Sequence, residues 1–110
     1  RPSRLLYNDG NRVGLSQSFY KNVSIKESLF YVDGELDGLQ EYFHKNGQRA
    51  RCERFRIGNR YGIWEWFDED GNLVLRGNFR NGKKQGVWKS FYSNGVVMLV
   101  EIYRDNEPIG

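Results

Sequence analysis

Residues 58–71 read GNRYGIWEWFDEDG, and the chain returns to the same pattern in residues 82–95 as GKKQGVWKSFYSNG. Glycines, an Ile-Trp or Val-Trp pair and a Phe recur at a distance of 24 residues. Toward the N-terminus the glycine series continues through Gly34 and Gly10, and only Gly77 among the 13 glycines stands outside the repeat. A fixed period in this range is typical of a repeat architecture.

Each repeat contains two predicted turns. The first holds Asn-Gly or Asp-Gly, at residues 46–47, 70–71 and 94–95. Such pairs between β-rich runs favour a hairpin with a type I′ turn, in which both central residues have positive φ. The second turn is a five-residue Gly-x-x-x-Gly loop, as in residues 82–86. Each repeat is therefore expected to contain two strands.

The composition favours strands over helices. The chain has a single alanine, whereas 15% of its residues are aromatic, a balance that suits strands. We predict an all-β protein, in which an elongated antiparallel meander of β-hairpin repeats forms a single-layer twisted sheet. One domain, 1–110, is expected to hold the repeats 10–33, 34–57, 58–81 and 82–105, with partial units at both ends.

Apolar columns predict which face of the sheet is buried. Side chains alternate between the two faces of a strand. The odd-numbered face of the first strand is apolar at two places in every repeat, so this face is expected to pack inward. Its columns are Leu15, Leu39, Ile63 and Val87, and Phe19, Phe43, Phe67 and Phe91. An aromatic column on the second strand consists of Tyr7, Tyr31, Phe55, Phe79 and Tyr103.

Four aromatic residues fall on the even-numbered face of the first strands: Tyr42, Trp64, Trp66 and Trp88. If the odd face packs inward, these rings form a patch for a partner protein, because Trp and Tyr dominate binding hot spots. The alternative is structural, since rings on neighbouring strands could staple a thin sheet.

Four carboxylates surround one turn of the third repeat: Glu65, Asp68, Glu69 and Asp70. Together with the tryptophans they predict a surface for a basic protein partner, because apolar anchors and complementary charge set affinity and association rate. Their spacing does not match a Ca²⁺-binding loop. The alternative is therefore a solvated acidic tip.

Arg56, Arg80 and Arg104 form a second charged row, in one column of the repeat. The row is either solvated or contacts an anionic partner, such as a phosphate group. The formal net charge is only +3, from 17 basic and 14 acidic residues. We therefore predict no nucleic-acid partner.

The sequence offers little for catalysis. His44 is the only histidine and Cys52 the only cysteine. Nothing near them suggests an oxyanion hole or the clustered ligands that zinc needs. We predict no catalytic site, no metal and no cofactor.

The pattern Gly-x-x-x-Gly-Ile/Val-Trp-x-x-Phe-x-x-Asp/Asn-Gly, at residues 58–71 and 82–95, resembles the MORN-repeat variant found in bacterial antitoxin and immunity proteins. The resemblance covers nearly the whole chain, although Gln40 replaces the tryptophan in the second copy and Ser16 in the first. It implies a non-catalytic binding protein that neutralises a cognate toxin or effector by direct contact. The alternative is a scaffold or lipid-proximal repeat module without a toxin partner.

Location and self-association are further expectations. A cytoplasmic location is favoured, and a periplasmic one requires that a signal was removed before Arg1. An open meander has two edge strands through which copies could associate. The more apolar N-terminal edge, around Leu5, Leu6 and Tyr7, is the first candidate.

Overall fold

The computed structural model describes residues 6–8 and 11–109, and the side chains of residues 14–109. All helix or strand structure in this part of the chain is β-strand, and every pairing is antiparallel, so the predicted all-β meander is confirmed. The strands are β1 Leu6–Asn8, β2 Asn11–Phe19, β3 Ile25–Val32, β4 Glu35–Leu36, β5 Gly38–Phe43, β6 Arg49–Arg56, β7 Asn59–Arg60, β8 Gly62–Phe67, β9 Leu73–Arg80, β10 Lys83–Lys84, β11 Gly86–Phe91, β12 Val97–Arg104 and β13 Glu107–Pro108.

These strands form one open sheet that follows the chain. Its order is β1-β2-β3-β5-β6-β8-β9-β11-β12-β13, while the two-residue strands β4, β7 and β10 pair back on β3, β6 and β9. The Cα extents of 46 × 33 × 12 Å fit a single layer. Sequence neighbours pair because short turns connect antiparallel strands.

The turns differ from the prediction in where the type I′ geometry occurs. At Asn46-Gly47 only the glycine has positive φ, at 90°, and the Asn46 Oδ1 accepts a hydrogen bond from Gln48 N at 2.9 Å. The predicted type I′ turn is therefore wrong at this Asn-Gly pair and at its counterparts in residues 70–71 and 94–95. Both residues have positive φ instead at Asn81-Gly82, with φ of 52° and 80°.

The Gly-x-x-x-Gly segments are not five-residue loops. In residues 82–86, Lys83 and Lys84 pair with Arg80 and Phe79 as the short strand β10, and Gly86, at φ 79°, then turns the chain into β11. Equivalent segments of successive repeats also form backbone hydrogen bonds with each other. One such bond runs from Gly82 N to Arg60 O at 3.0 Å.

The even-numbered face of the first strands is the buried one, so the predicted inward packing is wrong for Leu15, Leu39 and Val87 of the odd face. The second predicted column follows a register shift at the end of each first strand and is half-buried: Phe19, Phe43, Phe67 and Phe91. Trp64 and Trp88 are each 5% exposed. Leu15, Leu39 and Val87 of the odd face are between 42% and 49% exposed.

The register of the sheet explains this reversal. Even-numbered residues of a first strand lie opposite odd-numbered residues of the second strand, as Trp64 does with Gly77 and Gly62 with Phe79. Residues directly opposite each other share a face. The aromatic column of the second strands therefore joins the tryptophans, and the larger apolar area accumulates on their side.

Ile57 is strained in the turn between β6 and β7. Its φ is 49°, a left-handed conformation, and the side chain is 70% exposed. β-Branched residues are outliers there, whereas Asn tolerates the conformation. Asp33, Asn81 and Asp105 occupy the same place in the other repeats.

Replacing Ile57 by Asn is expected to raise the free energy of unfolding by about 1 kcal/mol, because the left-handed strain is relieved. Urea unfolding followed by circular dichroism measures the change. The reciprocal control, Asn81→Ile, should lower stability by a similar amount. A stabilising Asn81→Ile would contradict the strain argument.

Candidate binding site

An aromatic row crosses the buried face of the sheet. It consists of Phe55, Trp64, Phe79, Trp88 and Tyr103, on alternating second and first strands. Consecutive ring centroids lie 5.3, 4.7, 5.2 and 6.1 Å apart along the row. These separations are typical of favourable tilted and edge-to-face ring pairs.

The two tryptophans of the row also satisfy backbone groups between the strands. Trp64 Nε1 donates to Arg54 O at 3.0 Å, and Trp88 Nε1 donates to Asn78 O at 3.1 Å. Gln40 fills the same column in the second repeat and donates through Nε2 to Asp37 O at 2.9 Å. The indole hydrogen bonds of Trp64 and Trp88 connect neighbouring strands, so these two residues have a structural role.

Tyr42 and Trp66 lie further along the same face and remain partly exposed. They line a concavity of about 450 Å³, called here the Tyr42–Trp66 pocket. Its other lining residues are Tyr20, Lys26, Glu27, Phe43, His44, Ala50, Arg51, Phe67 and Val74. The predicted aromatic patch therefore divides into two buried rings and two rings that reach a cavity.

Arg51 sets the electrostatics of the Tyr42–Trp66 pocket. Its Cζ lies 4.0 Å from the centroid of the Tyr42 ring. Its Nε lies 2.8 Å from Glu53 Oε2, in an ion pair without hydrogen-bond geometry. Burial raises the pKa of the Tyr42 phenol, with the charge of Glu53 as the second cause. The pocket thus presents a protonated phenol, an indole and a guanidinium to a ligand.

His44 and Cys52 have structural surroundings. His44 Nε2 lies 3.0 Å from the carbonyl oxygen of Phe67 and donates to it when the ring carries its proton there. Tyr20 donates to Phe43 O in the same way, one repeat earlier, at 2.6 Å. Cys52 is buried, and burial raises the pKa of its thiol, which disfavours the nucleophilic thiolate.

The acidic turn does not form one cluster with the tryptophans. Glu65 lies on the opposite face from its strand neighbour Trp66, and its Oε2 is 3.6 Å from Arg76 Nε. Asp68 holds the turn, because its Oδ1 accepts hydrogen bonds from Asn72 N at 2.9 Å and Asp70 N at 3.0 Å.

The hydrogen bonds from Asn72 are the main cause that lowers the pKa of Asp68. Glu69 and Asp70 are exposed at the tip of the turn. In the part of the chain that the structure describes, no group of three His, Cys, Asp or Glu side chains could hold a metal ion.

The arginine row is split by the fold. Arg56 and Arg80 line one concavity of about 190 Å³, and Arg104 lies outside it. Arg60 lines the same concavity and was missed by the sequence analysis. The sequence feature that could have indicated Arg60 is its position in the repeat, which is occupied by Leu36, Arg60 and Lys84 in successive copies.

The exposed apolar strand is β12. Val97, Met98, Leu99 and Val100 are between 44% and 51% exposed. The predicted association edge at Leu5 to Tyr7 lies outside the described side chains. Within residues 6–8 and 11–109, no helix is long and apolar enough to cross a bilayer.

A comparison with curated proteins finds no match. Among solved structures, a mutant of S. aureus TarM, crystallised with fondaparinux, alpha-GlcNAc-glycerol and UDP, is similar over 98% of this chain, with 14% identity and a TM-score of 0.54. The matched region spans 21% of the length of that TarM chain. At this identity the similarity shows the fold alone.

A family model described as MORN repeat variant matches residues 36–55, 60–81 and 84–105, more than half of the chain. Each match begins at the second residue of a two-residue strand and contains the two long strands that follow, apart from the last residue of β6 in the first match. MORN repeats are in general binding modules without enzymatic activity. The chain belongs to the MORN repeat variant family.

Proposed function

We propose that this protein neutralises a cognate toxin or effector protein by binding and occluding it, with the Tyr42–Trp66 pocket at the centre of the contact. One observation carries the proposal: a pocket of about 450 Å³ that places two aromatic rings beside a guanidinium on the buried face of the sheet. Aromatic and arginine side chains in such pockets are the residues that dominate protein interfaces.

Charge extends the proposed contact beyond the pocket. Phe67 lines the pocket, and the turn that begins at Asp68 follows it directly. Glu69 and Asp70 are exposed on that turn, where they would attract a basic surface of the toxin. Such complementary charge raises the association rate and selects among partners.

The experiment needs a defined partner. Proteins encoded beside this chain's gene are purified and tested for direct binding by calorimetry. If one of these proteins binds and is the toxin, cells that express it should grow only when this chain is co-expressed. Growth that is unaffected by co-expression, or no direct binding, would contradict the proposed function.

With that partner, Trp66→Ala and Glu69→Lys are each expected to weaken Kd at least tenfold, about 1.4 kcal/mol. Trp66→Ala removes a pocket wall, and Glu69→Lys reverses the charge of the acidic turn. Ser93→Lys is the matched control, because Ser93 occupies the same turn position in the next repeat.

Thermal unfolding checks that each variant still folds. This check matters for Trp66, whose ring lies 5.9 Å from that of Trp64 and 6.2 Å from that of Trp88. If neither substitution changes Kd tenfold while both variants stay folded, the pocket and the acidic turn are not the contact surface.

A further inference from the structure

We propose that the outer edge of β12 is a docking site for β12 of a second copy of this chain. Within the described residues, β13 is the only strand on the outer side of β12, and it pairs with Tyr103 and Arg104. Residues 97–101, called here the β12 edge, meet no described strand on that side. The equivalent edges of β3, β6 and β9 are each covered by the next first strand, as where Leu75 of β9 pairs with Ser90 of β11.

The uncovered stretch is the most apolar of its kind in the sheet. Residues 97–100 read VMLV and carry no charge. The equivalent stretches of the preceding repeats each include a charged residue: LVLR at 73–76, RARC at 49–52 and IKES at 25–28. All residues of the VMLV stretch are exposed, whereas Leu73, Val74 and Leu75, beside which β11 lies, are half-buried. A covering strand would bury the apolar side chains of β12 in the same way.

The β12 edge also lacks the usual protection against strand addition. Proteins commonly protect a free edge with charged residues, proline or a very short strand. The short strand β13 brings Glu107 and Pro108 beside Tyr103 and Arg104, so that end of β12 is protected. Residues 97–100 have neither a charge nor a proline. An unprotected apolar edge is a template for pairing with another chain.

Backbone groups of the β12 edge are available for such pairing. The carbonyl oxygen of Ile102 accepts a hydrogen bond from Ile109 N at 2.7 Å, so it points to the outer side of β12. Because the direction of the backbone groups alternates along a strand, the N–H and C=O of Val100 point to the same side. No described strand lies there to bind them.

Tyr92, at the end of the neighbouring β11, indicates a missing strand as well. Its equivalents in earlier repeats, Tyr20 and His44, contact the carbonyl oxygens of Phe43 and Phe67, each the last residue of the next first strand. Tyr92 is 52% exposed, and its hydroxyl has no hydrogen-bond partner among the described residues. A strand added at the β12 edge would bring a carbonyl oxygen toward this hydroxyl.

A second β12 matches the edge. β12 has apolar side chains on both faces, because the successive residues Leu99 and Val100 point to opposite faces. Residues 97–101 are centred on Leu99, so a two-fold axis at Leu99 pairs two copies of this stretch in antiparallel orientation. Leu99 then lies opposite Leu99 of the second copy, and Met98 lies opposite Val100 of the second copy. Apolar residues meet apolar residues, which is the self-complementarity that a two-fold interface requires.

Sedimentation equilibrium over a wide range of concentrations tests the inference. We expect a reversible monomer–dimer equilibrium that is weak, because so short a contact buries less than roughly 1,200 Å². Leu99→Lys places like charges opposite each other at the axis, so it should weaken the dimer Kd at least tenfold. Val87→Lys is the matched control. It adds the same charge at a residue that is 49% exposed, like Leu99 at 50%, but lies on β11, so the dimer Kd should not change.

Cross-linking tests the position of the axis. In a Cys52→Ala background, Leu99→Cys places two thiols on directly opposite residues. Because Val100 points outward, Leu99 forms a non-hydrogen-bonded pair with Cα atoms about 4.5 Å apart, a separation that a disulfide can span. Val97→Cys is the control, because Val97 is similarly exposed but lies about 14 Å along the strand from its counterpart. Mild oxidation should therefore give a covalent dimer of the Leu99→Cys variant alone.

The inference is overturned if the unchanged chain stays monomeric at every concentration, if Leu99→Lys dimerises like the unchanged chain, or if the two cysteine variants cross-link equally. Species larger than the dimer would also overturn it, because they indicate contact between unlike edges. Urea unfolding of each variant checks that it folds. The residues that line the Tyr42–Trp66 pocket include none of β12, so no outcome here bears on the proposed toxin contact.

Discussion

Replacing Trp88 by alanine is expected to lower the free energy of unfolding by about 3–5 kcal/mol, the usual cost of deleting a large aromatic side chain from a core. Trp88 is only 5% exposed. Its ring lies between those of Phe79, at 5.2 Å, and Tyr103, at 6.1 Å. Because domains of this size are stabilised by roughly 5–15 kcal/mol, this single change should remove a large share of the stability.

The mechanism of this loss is specific to a single-layer sheet. Within the described residues no second sheet covers the aromatic row, so the rings bury one another, together with Arg60 and Lys84, which lie over them. Removing Trp88 interrupts the row and also removes the indole hydrogen bond to Asn78 O, which keeps its second hydrogen bond, from Gln85 N at 2.9 Å.

Urea unfolding at neutral pH measures the effect. Val87→Ala is the control, because Val87 is the chain neighbour of Trp88 but is 49% exposed on the opposite face. Its loss should stay below about 1 kcal/mol. If both substitutions cost the same, the aromatic row does not carry the core.

Replacing Gly77 by alanine is expected to cost about 1–3 kcal/mol, because it overpacks the same core. A Cβ built on Gly77 would overlap Cδ2, Cε2 and Cε3 of the Trp88 indole ring. Gly77 has no positive φ, so its backbone conformation does not require glycine. The need for glycine at this position arises from the ring that rests on the strand.

A double-mutant cycle with Trp88→Leu separates this cause from a backbone effect. Once the ring is gone, Gly77→Ala should become stabilising, because glycine inside a strand is about 0.5–1 kcal/mol worse than alanine. Urea unfolding of the four proteins gives the coupling energy. An equal cost of Gly77→Ala in both backgrounds would contradict the packing explanation.

Gly77 shows why part of the core escaped prediction. It is the one glycine outside the 24-residue series, and the repeat gives no reason for it. Glycine is needed at position 77 because the ring of Trp88, eleven residues away on the neighbouring strand, lies against it. Sequence spacing reports turns well, but it does not report which side chain lies over which backbone.

The candidate sites were predictable to different degrees. Tyr42 and Trp66 were named from the sequence and do line a cavity. Trp64 and Trp88 occupy a neighbouring column on the same face, yet they are buried, because the second-strand rings Phe55, Phe79 and Tyr103 pack beside them. Arg60 was overlooked because its column is not basic in every repeat; in the folded sheet its guanidinium lies over the buried rings of Trp64 and Phe79.

The sequence alone was sufficient to predict the repeat, the hairpins and the all-β class. Glycine spacing and β-forming composition are local signals, and they recur in each repeat. The folded sheet was needed to establish which face is buried and which turns adopt the type I′ geometry. Burial depends on the register between strands, and a shift of one residue would move every side chain to the other face. In this sheet, even-numbered positions pair with odd-numbered ones, which gathers the tryptophans and the second-strand aromatic residues into one core.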